Sequence, residues 1–292
     1  MGVGRYLRGR EVDLAQAQLI RRAGTLTPDT VALIRAMYVR STSDYADFLW
    51  IALAGPTDQE LTSLAELLGV SPPWVEEALN IKQRAKAEFS ADQQRGLILF
   101  KTVSYDEETS GVDTGQITLV LGPSFVLTVR LGPIGALSRV RAELVDNPEF
   151  LALGPLAAVH AIMDAIVDDY LSATDEIGAD IDTLEEQVFS PRITDDSEAI
   201  YRLKRENLEL RRALAPLVPV AQRLISGTLQ GEIPAGLRPY FHDVGDHLTR
   251  AHDYVESYEN LLVTMLHASN ARHGLQQNTD MRKIAAYAAM LA

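Results

Sequence analysis

The chain has 292 residues, with 40 acidic side chains, 27 basic side chains and no cysteine. These numbers exclude a disulfide framework and a thiolate metal site, and the formal net charge of −13 argues against a nucleic-acid partner. An apolar content of 47% is typical of an ordered globular chain, yet no apolar run reaches the roughly 18 residues of a complete membrane span.

The first 40 residues carry few structural signals. Arg5, Arg8 and Arg10 form a short basic lead without an apolar signal region. We expect this lead to be a disordered terminus, as the first residues of many domains are. The sequence leaves the role of residues 1–40 open.

The next part of the chain predicts a mixed sheet. Four apolar runs bounded by turn residues predict strands at 48–55, 96–105, 116–121 and 125–129. The last two runs flank Gly122-Pro123-Ser124, which predicts a hairpin turn and therefore an antiparallel pair.

Helices are predicted between the first two strands. Thr57 and Glu60 form a capping box, and the helix that they start ends at Gly69. Ser71-Pro72 opens a second helix, since proline is tolerated in a first turn. A sheet flanked by helices predicts an α/β/α sandwich domain over residues 1–155.

From about residue 155 the apolar residues take heptad spacing. A first seam comprises Met163, Val167, Tyr170, Thr174, Ile177, Ile181, Leu184 and Val188. After a break at Ser190-Pro191, a second seam comprises Ile200, Leu203, Asn207, Leu210, Leu214, Leu217, Ala221 and Leu224. Two seams joined by a short break predict an antiparallel helical hairpin over residues 156–230. Pro216 and Pro219 lie inside the second seam and predict that this helix kinks or ends early.

A third pattern follows the loop around Gly231, Pro234 and Gly236. It begins at Tyr240 and comprises Val244, His247, Ala251, Tyr254, Tyr258, Leu261, Met265 and Ala268. No proline follows Pro239, so we predict one stalk helix over residues 238–292, about 80 Å long at about 1.5 Å per residue. A helix of this length must project from a domain of this size. Together, these elements predict an α+β fold shaped as a funnel.

The last residues of the stalk helix change character. Residues 284–292 are all apolar, and Arg282 and Lys283 stand immediately before them. Basic residues at such a point favour the cytosolic side of a membrane boundary. We therefore expect the C-terminal segment to be the membrane contact of the chain.

The six histidines raise the question of a metal site or an active site. His242 with Asp246 and Asp243 with His247 form two i, i+4 pairs that would fit a transition metal, although a surface network on a helix is the favoured interpretation. No nucleophile elbow, phosphate-binding loop, dinucleotide glycine pattern or His-Glu-x-x-His motif occurs. We predict that the chain is not an enzyme.

Four stretches, in this order, resemble the CorA family of magnesium and divalent-cation transporters. LGVSPPWVEEALNIKQRAKAEF (68–89) is similar to the family's small helix with an acidic pair, Leu-Asn and Gln-Arg-Pro-Lys. DAIVDDY (164–170) with IDTLEEQVF (181–189) resembles its first long acidic helix. YFHDVGDH (240–247) resembles the start of the stalk helix, and NTDMRKI (278–284) resembles the entry to the first transmembrane helix.

The resemblance implies a homopentamer in the cell (inner) membrane. Five stalk helices would surround a funnel that is continuous with the pore, with the sandwich domains at the wide cytoplasmic end. The family's Gly-Met-Asn motif would lie beyond Ala292, so we interpret the chain as the cytosolic part of such a transporter with the opening turns of its pore helix.

The resemblance also implies a set of metal ligands. By motif position, Glu77 and Asp243 match the family's regulatory cation site between neighbouring subunits, and Glu76 and Asp164 match further ligands that share Asp243. The implied ion is Mg²⁺, with Co²⁺, Ni²⁺ and Zn²⁺ as further candidates. The family commonly has Asp where this chain has Glu77, so contact through water is the firmer expectation there. From residue type alone, Glu76-Glu77 is an ordinary surface pair.

Asn278, Met281 and Ile284 match the cytosolic end of the family's pore, and Met290 is assigned to the gate with them. Five copies would stack a polar ring and apolar rings, and apolar rings can gate by dewetting. Without the resemblance, Met281 and Ile284 are ordinary packing residues at a helix interface.

Two other interpretations stay open from the sequence. The nine acidic residues between Asp164 and Ser190, without Lys, Arg or His, form a solvated helix face, a cation-concentrating surface, or both. The chain itself is either the cation-gated part of a magnesium transporter, part of a zinc transporter of the same superfamily, or a soluble coiled-coil scaffold. Gly-Met-Asn after the first span would favour magnesium, Gly-Ile-Asn would favour zinc, and a stop codon would favour the scaffold.

Overall fold

The computed structural model describes residues 1–41, 47–90, 95–106, 108–109, 111–132, 137–190, 196–226 and 233–291. The strands are β1 Gly2–Leu7, β2 Arg10–Val12, β3 Asp47–Ala54, β4 Lys86–Phe89, β5 Gly96–Asp106, β6 Gly111–Gly122 and β7 Phe125–Leu131. The helices are α1 Leu14–Ala23, α2 Pro28–Arg40, α3 Asp58–Leu68, α4 Pro72–Leu79, α5 Leu137–Asp146, α6 Pro148–Leu151, α7 Pro155–Phe189, α8 Ser197–Leu214, α9 Leu217–Ile225 and α10 Arg238–Leu291.

The strands form one mixed sheet in the order β2-β1-β3-β7-β6-β5-β4. β3 and β7 are parallel, and every other neighbouring pair is antiparallel. The predicted hairpin is confirmed, because Gly122 pairs with Phe125 across Pro123-Ser124. β6 is longer than predicted, since its polar first half pairs with β5 as far as Asp106 and Gly111.

The N-terminal lead is ordered, so the expectation of a disordered terminus was wrong. β1 lies between β2 and β3 and buries Val3 and Tyr6 completely. Arg5, one of the three basic residues, donates to Asp47 at 3.0 Å and to Asp13 at 3.1 Å. The arginine is therefore neutralised inside the fold and anchors β1 to β3.

The sheet is the middle layer of the predicted α/β/α sandwich. One face packs against α1 to α4 around a core that includes Ile34, Leu49 and Leu64. The other face packs against α7 and its neighbours around a core that includes Trp50, Ile98 and Ile166. The second core continues along the helices as far as Met265, so the sheet and the helical part share one hydrophobic interior.

The two predicted seams of the helical hairpin are buried along their whole length. All sixteen seam residues are buried on α7, α8 and α9. The helix break is confirmed, since α8 ends at Leu214 and Pro216 directly precedes α9. α7 ends at Phe189 as the Ser190-Pro191 break predicts, and Pro191 itself, like Gly231 of the later loop, lies outside the described residues.

The stalk helix α10 packs on the hairpin as a third long helix. It runs parallel to α7, because Tyr240 contacts His160 near the start and Arg272 donates to the Val188 carbonyl far along both helices. It runs antiparallel to α8, because Glu256 pairs with Arg211 and Glu259 pairs with Lys204.

The third predicted seam is correct only in part. Val244, Ala251 and Met265 are buried as expected. Between them the buried positions are Leu248, Val255 and Leu262, whereas Tyr254 is 44% exposed. The buried residues of α10 keep a single heptad spacing, and they are Phe241, Val244, Leu248, Ala251, Val255, Leu262, Met265 and Ser269. The error is one of phase, since five predicted positions each lie one residue before a buried one, namely Tyr240, His247, Tyr254, Leu261 and Ala268.

Beyond Ser269 no described residue of α10 is buried, and residues 281–290 are all exposed. The helix thus projects from the bundle, as its length predicts. No helix among the described residues combines the length and the apolar character that crossing a membrane requires.

Candidate functional site

The structure brings Asp164 of α7 close to the start of α10. The two helices run in parallel from His160 and Tyr240, whose rings lie 5.6 Å apart. Asp164 is half-buried, and Asp243 and His247 are near enough to act on it electrostatically. Asp243 Oδ1 lies 3.8 Å from His247 Nε2. Beside this cluster is a cleft of about 260 Å³, lined in part by Arg139, Glu143, His160, Asp164, Asp168 and Tyr240.

His160 is the member of this cluster that the sequence did not single out. Its imidazole lies among three rings, 5.5 Å from Phe150, 5.6 Å from Tyr240 and 5.3 Å from Phe241 between centroids. Burial lowers the pKa of His160, and the charge of Asp164 and a backbone hydrogen bond at Tyr240 oppose this effect. The only signal in the sequence is the i, i+4 spacing from His160 to Asp164.

Asp164 is held in a setting that disfavours its charge. Burial raises the pKa of this carboxyl, His160 lowers it, and Asp168 and Asp243 raise it further. A half-buried carboxylate facing two other carboxylates is stabilised when a cation comes close to it. The geometry therefore suits a cation, bound directly or through water.

Glu76 and Glu77 lie elsewhere in the chain. They belong to α4, which packs on the sheet face opposite α7, so one chain does not bring them to Asp164 and Asp243. Glu76 is exposed, whereas Glu77 Oε1 lies 2.5 Å from Lys86 Nζ. The second oxygen of Glu77 is buried and has no hydrogen-bond partner among the residues that the structure describes.

Lys86 therefore competes for the carboxylate that was predicted to hold a cation. Burial lowers the pKa of Lys86, but hydrogen bonds and charge from Glu77 and Glu88 outweigh it and raise the pKa overall. The ammonium is charged at neutral pH and neutralises Glu77 in the single chain. The sequence placed Lys86 in the same motif as Glu77 but did not predict this contact.

Within the described ranges, no three His, Asp or Glu side chains converge in a way that could hold a metal ion. Of the two predicted i, i+4 pairs, Asp243 and His247 are neighbours, while His242 and Asp246 are both exposed. The described part of a single chain therefore supplies pairs of possible ligands and not a complete ligand set.

The predicted pore residues lie on the projecting end of α10. Asn278, Met281 and Ile284 share one side of the helix, since a step of three residues turns it by about 300°. Met281 is 70% exposed and Ile284 is 67% exposed. Met290 is nine residues beyond Met281, about two and a half turns, so it lies opposite Met281 and about 120° around the helix from both Asn278 and Ile284.

Comparison with known proteins gives a consistent result. A family model described as CorA-like Mg²⁺ transporter protein matches residues 45–292. The cobalt/magnesium transport protein CorA of Thermotoga maritima is 27% identical over 223 residues, covering 74% of this chain and 62% of that protein. The chain thus spans less than two thirds of the length of this curated relative.

Two solved structures share the fold. The full-length CmaX protein matches with a TM-score of 0.75 at 17% identity, covering 98% of this chain and 81% of that chain. The complete CorA magnesium transporter of Methanocaldococcus jannaschii matches with a TM-score of 0.67 at 18% identity, covering 84% and 76%. Because the family model covers most of the sequence, the chain belongs to the CorA-like Mg²⁺ transporter family, whose members are membrane ion transporters and not enzymes.

Proposed function

We propose that this chain is the cytosolic, cation-sensing part of a divalent-cation channel-transporter. Five copies assemble around one axis, their α10 helices line the path of the ion, and Mg²⁺ bound between neighbouring copies holds the closed state. Family membership supports transport over the soluble-scaffold alternative.

The projecting end of α10 is the observation that carries this proposal. Residues 281–290 are all exposed, and Leu275, Met281, Ile284, Tyr287 and Met290 are large apolar residues between 65% and 77% exposed. Most helical stability in proteins comes from packing, and a short helix without tertiary cover is marginal in water. Bundling with copies of the same helix supplies the missing cover and places Asn278, Met281 and Ile284 along the axis.

Carboxylates at the boundaries between copies form the proposed cation latch. Asp243 is 67% exposed at its side chain and stands beside the half-buried Asp164, so it is available to a neighbouring copy. Glu76 is exposed, and the second oxygen of Glu77 has no hydrogen-bond partner in the described part of the chain, so α4 is the proposed opposite side of the boundary. Two carboxylates about 4 Å apart repel by about 4 kcal/mol at an effective dielectric of about 20. Loss of Mg²⁺ at five boundaries would thus drive the copies apart.

Zinc is the competing cargo, and the contact between Asp243 and His247 favours it. Mg²⁺ requires oxygen ligands, whereas Zn²⁺ readily accepts an imidazole nitrogen. His247→Gln therefore separates the two ions: stabilisation by Mg²⁺ is retained, and any stabilisation by Zn²⁺ is lost.

The solution mass of the chain, measured by light scattering with and without Mg²⁺, tests the assembly. We expect a pentamer that Mg²⁺ stabilises, and a mass that stays monomeric in both conditions contradicts the proposal. The double variant Glu77→Ala/Asp243→Ala tests the latch, and Asp253→Ala, an exposed carboxylate of the same helix, is its control. The latch is excluded if Mg²⁺ shifts the melting temperature of the double variant and of the parent equally.

A further inference from the structure

A basic cleft lies between the sheet and the end of α8. It has a volume of about 470 Å³, which is within the range of small-molecule sites. Five cations line it, namely Lys82, Arg84, Lys101, Arg211 and Arg212, and Glu209 is the one carboxylate among the described lining residues. This local excess of positive charge occurs in a chain whose net charge is −13.

Lys101 is the most deeply placed of these cations. Its ammonium donates to the Ile81 carbonyl and lies 3.3 Å from the Gln116 side-chain oxygen, and both of these acceptors are neutral. Burial lowers the pKa of Lys101. A half-buried ammonium whose acceptors in the described residues are both neutral is stabilised by an anion in the adjoining cleft.

The other cations differ in their partners. Among the described residues, Lys82 and Arg84 are exposed and form no ion pair with a carboxylate. Arg212 pairs with Glu209 at 2.7 Å, and Arg211 pairs with Glu256 of α10 at 2.6 Å. Both pairs are partly exposed, and exposed ion pairs contribute little to stability, so either arginine can turn to a stronger anion.

We propose that this cleft binds a small molecule that carries two or more linked phosphates. Lysine and arginine are the usual phosphate ligands, and several cations in one cleft match a multiply charged anion better than a single phosphate. Leu208, Ala213 and Pro216 supply an apolar wall, which suits an organic group attached to the phosphates, such as a nucleoside.

Gln83 and Arg84 belong to the motif that resembles the CorA family, and the proposed cation latch assigns them no role. The proposed phosphate site gives them one. Both residues line the cleft, directly before β4. Because Arg211 also pairs with Glu256, a bound polyphosphate competes with a contact between α8 and the stalk helix. Occupancy of the cleft is therefore coupled to the packing of α10.

Titration calorimetry with inorganic tripolyphosphate, in EDTA and at fixed ionic strength, tests the site. We expect saturable binding that weakens at least tenfold in Arg84→Gln and in Lys101→Met, since each loses a charge-assisted contact. Arg139→Gln removes the same charge from an exposed helix position outside the cleft and should bind like the parent. Glu256→Gln frees Arg211 and should tighten binding.

The probes distinguish the chemical class. Tighter binding of ATP than of tripolyphosphate identifies a nucleotide site, and equal binding identifies a polyphosphate site. Binding of AMP or sulfate as strong as that of tripolyphosphate overturns the proposal, as does an absence of saturable binding. Equal losses in Arg84→Gln and Arg139→Gln also overturn it. Arg84 is exposed, so its variant is expected to fold even if Lys101→Met does not.

Discussion

Lys86 gives a direct test of whether Glu77 binds the cation. Its ammonium lies 2.5 Å from Glu77 Oε1 and 2.8 Å from Glu88 Oε1, and it repels any cation that approaches the other oxygen of Glu77. Lys86→Met removes this positive charge and keeps a side chain of similar length. We therefore expect Mg²⁺ to bind more tightly to the variant than to the parent.

The size of the effect follows from Coulomb's law. A Mg²⁺ ion on the second oxygen of Glu77 would lie about 5 Å from the ammonium, and the repulsion is about 2 kcal/mol even at the dielectric constant of water. The Lys86 and Glu77 side chains are 28% and 20% exposed, so the effective dielectric is lower than that of water and the repulsion larger. Since about 1.4 kcal/mol is a factor of ten, we expect at least tenfold tighter binding.

The assay is the Mg²⁺ concentration at which half of the rise in melting temperature has occurred. Lys86→Arg keeps the charge and should leave this concentration close to that of the parent. If Lys86→Met leaves the midpoint unchanged or raises it, Glu77 does not bind the cation and the assignment from the sequence motif fails.

Two further predictions concern the packing and charge of α7. Because burial raises the pKa of Asp164 from its ordinary 3.8, the folded chain loses stability as the pH rises through the folded-state pKa. In the absence of divalent ions, Asp164→Asn should therefore raise the melting temperature at pH 7, and this increase should shrink as the pH falls toward about 4. The control Asp175→Asn changes an exposed carboxylate and should leave the melting temperature unchanged. A lower melting temperature for Asp164→Asn at pH 7 would contradict this reasoning. A Cβ at Gly178 would lie 2.3 Å from the Tyr258 hydroxyl oxygen, whereas a Cβ at Gly274 would meet no atom within 4 Å. In urea unfolding, Gly178→Ala should lower the free energy of unfolding by about 1–3 kcal/mol. Gly274→Ala should raise it by up to about 1 kcal/mol, because alanine favours a helix more than glycine does. Equal effects of the two substitutions would refute the contact between α7 and α10.

Much of the fold could be predicted because its signals are local. The capping box at Thr57 and Glu60, the turn at Pro123-Ser124 and the break at Pro216 each depend on a few adjacent residues, and all three occur. The seams of α7 to α9 were predictable because each of these helices keeps one face against the core.

The errors arise where the structure depends on distant residues. β1 is ordered because it pairs with β3 and because Arg5 meets Asp47, which is 42 residues away. The buried face of α10 keeps one heptad spacing, but the sequence has apolar residues at neighbouring positions such as Tyr254 and Val255, and the packing against α7 and α8 decides which of the two is buried. Helix-forming residues 14–40 carry no long apolar run, so α1 and α2 were not predicted.

The candidate site shows the same limit. Motif position predicted that Asp164 and Asp243 share a site, and the structure brings the two carboxylates near each other, while their role as ligands stays a prediction. It did not single out His160, whose place in the cluster depends on the rings of Phe150, Tyr240 and Phe241 around it. It also missed the pairing of Glu77 with Lys86, since that contact follows from the position of β4 beside α4.

Disulfide trapping tests whether copies of the stalk helix α10 bundle around one axis, and the chain has no cysteine that would interfere. Met281→Cys places a thiol on the side proposed to face the axis, and Thr279→Cys, two residues away, places one about 200° around the same helix. Under mild oxidation, we expect a high yield of covalent dimer for Met281→Cys and little for Thr279→Cys. Equal yields, or a higher yield for Thr279→Cys, would contradict the proposed bundle of α10 helices.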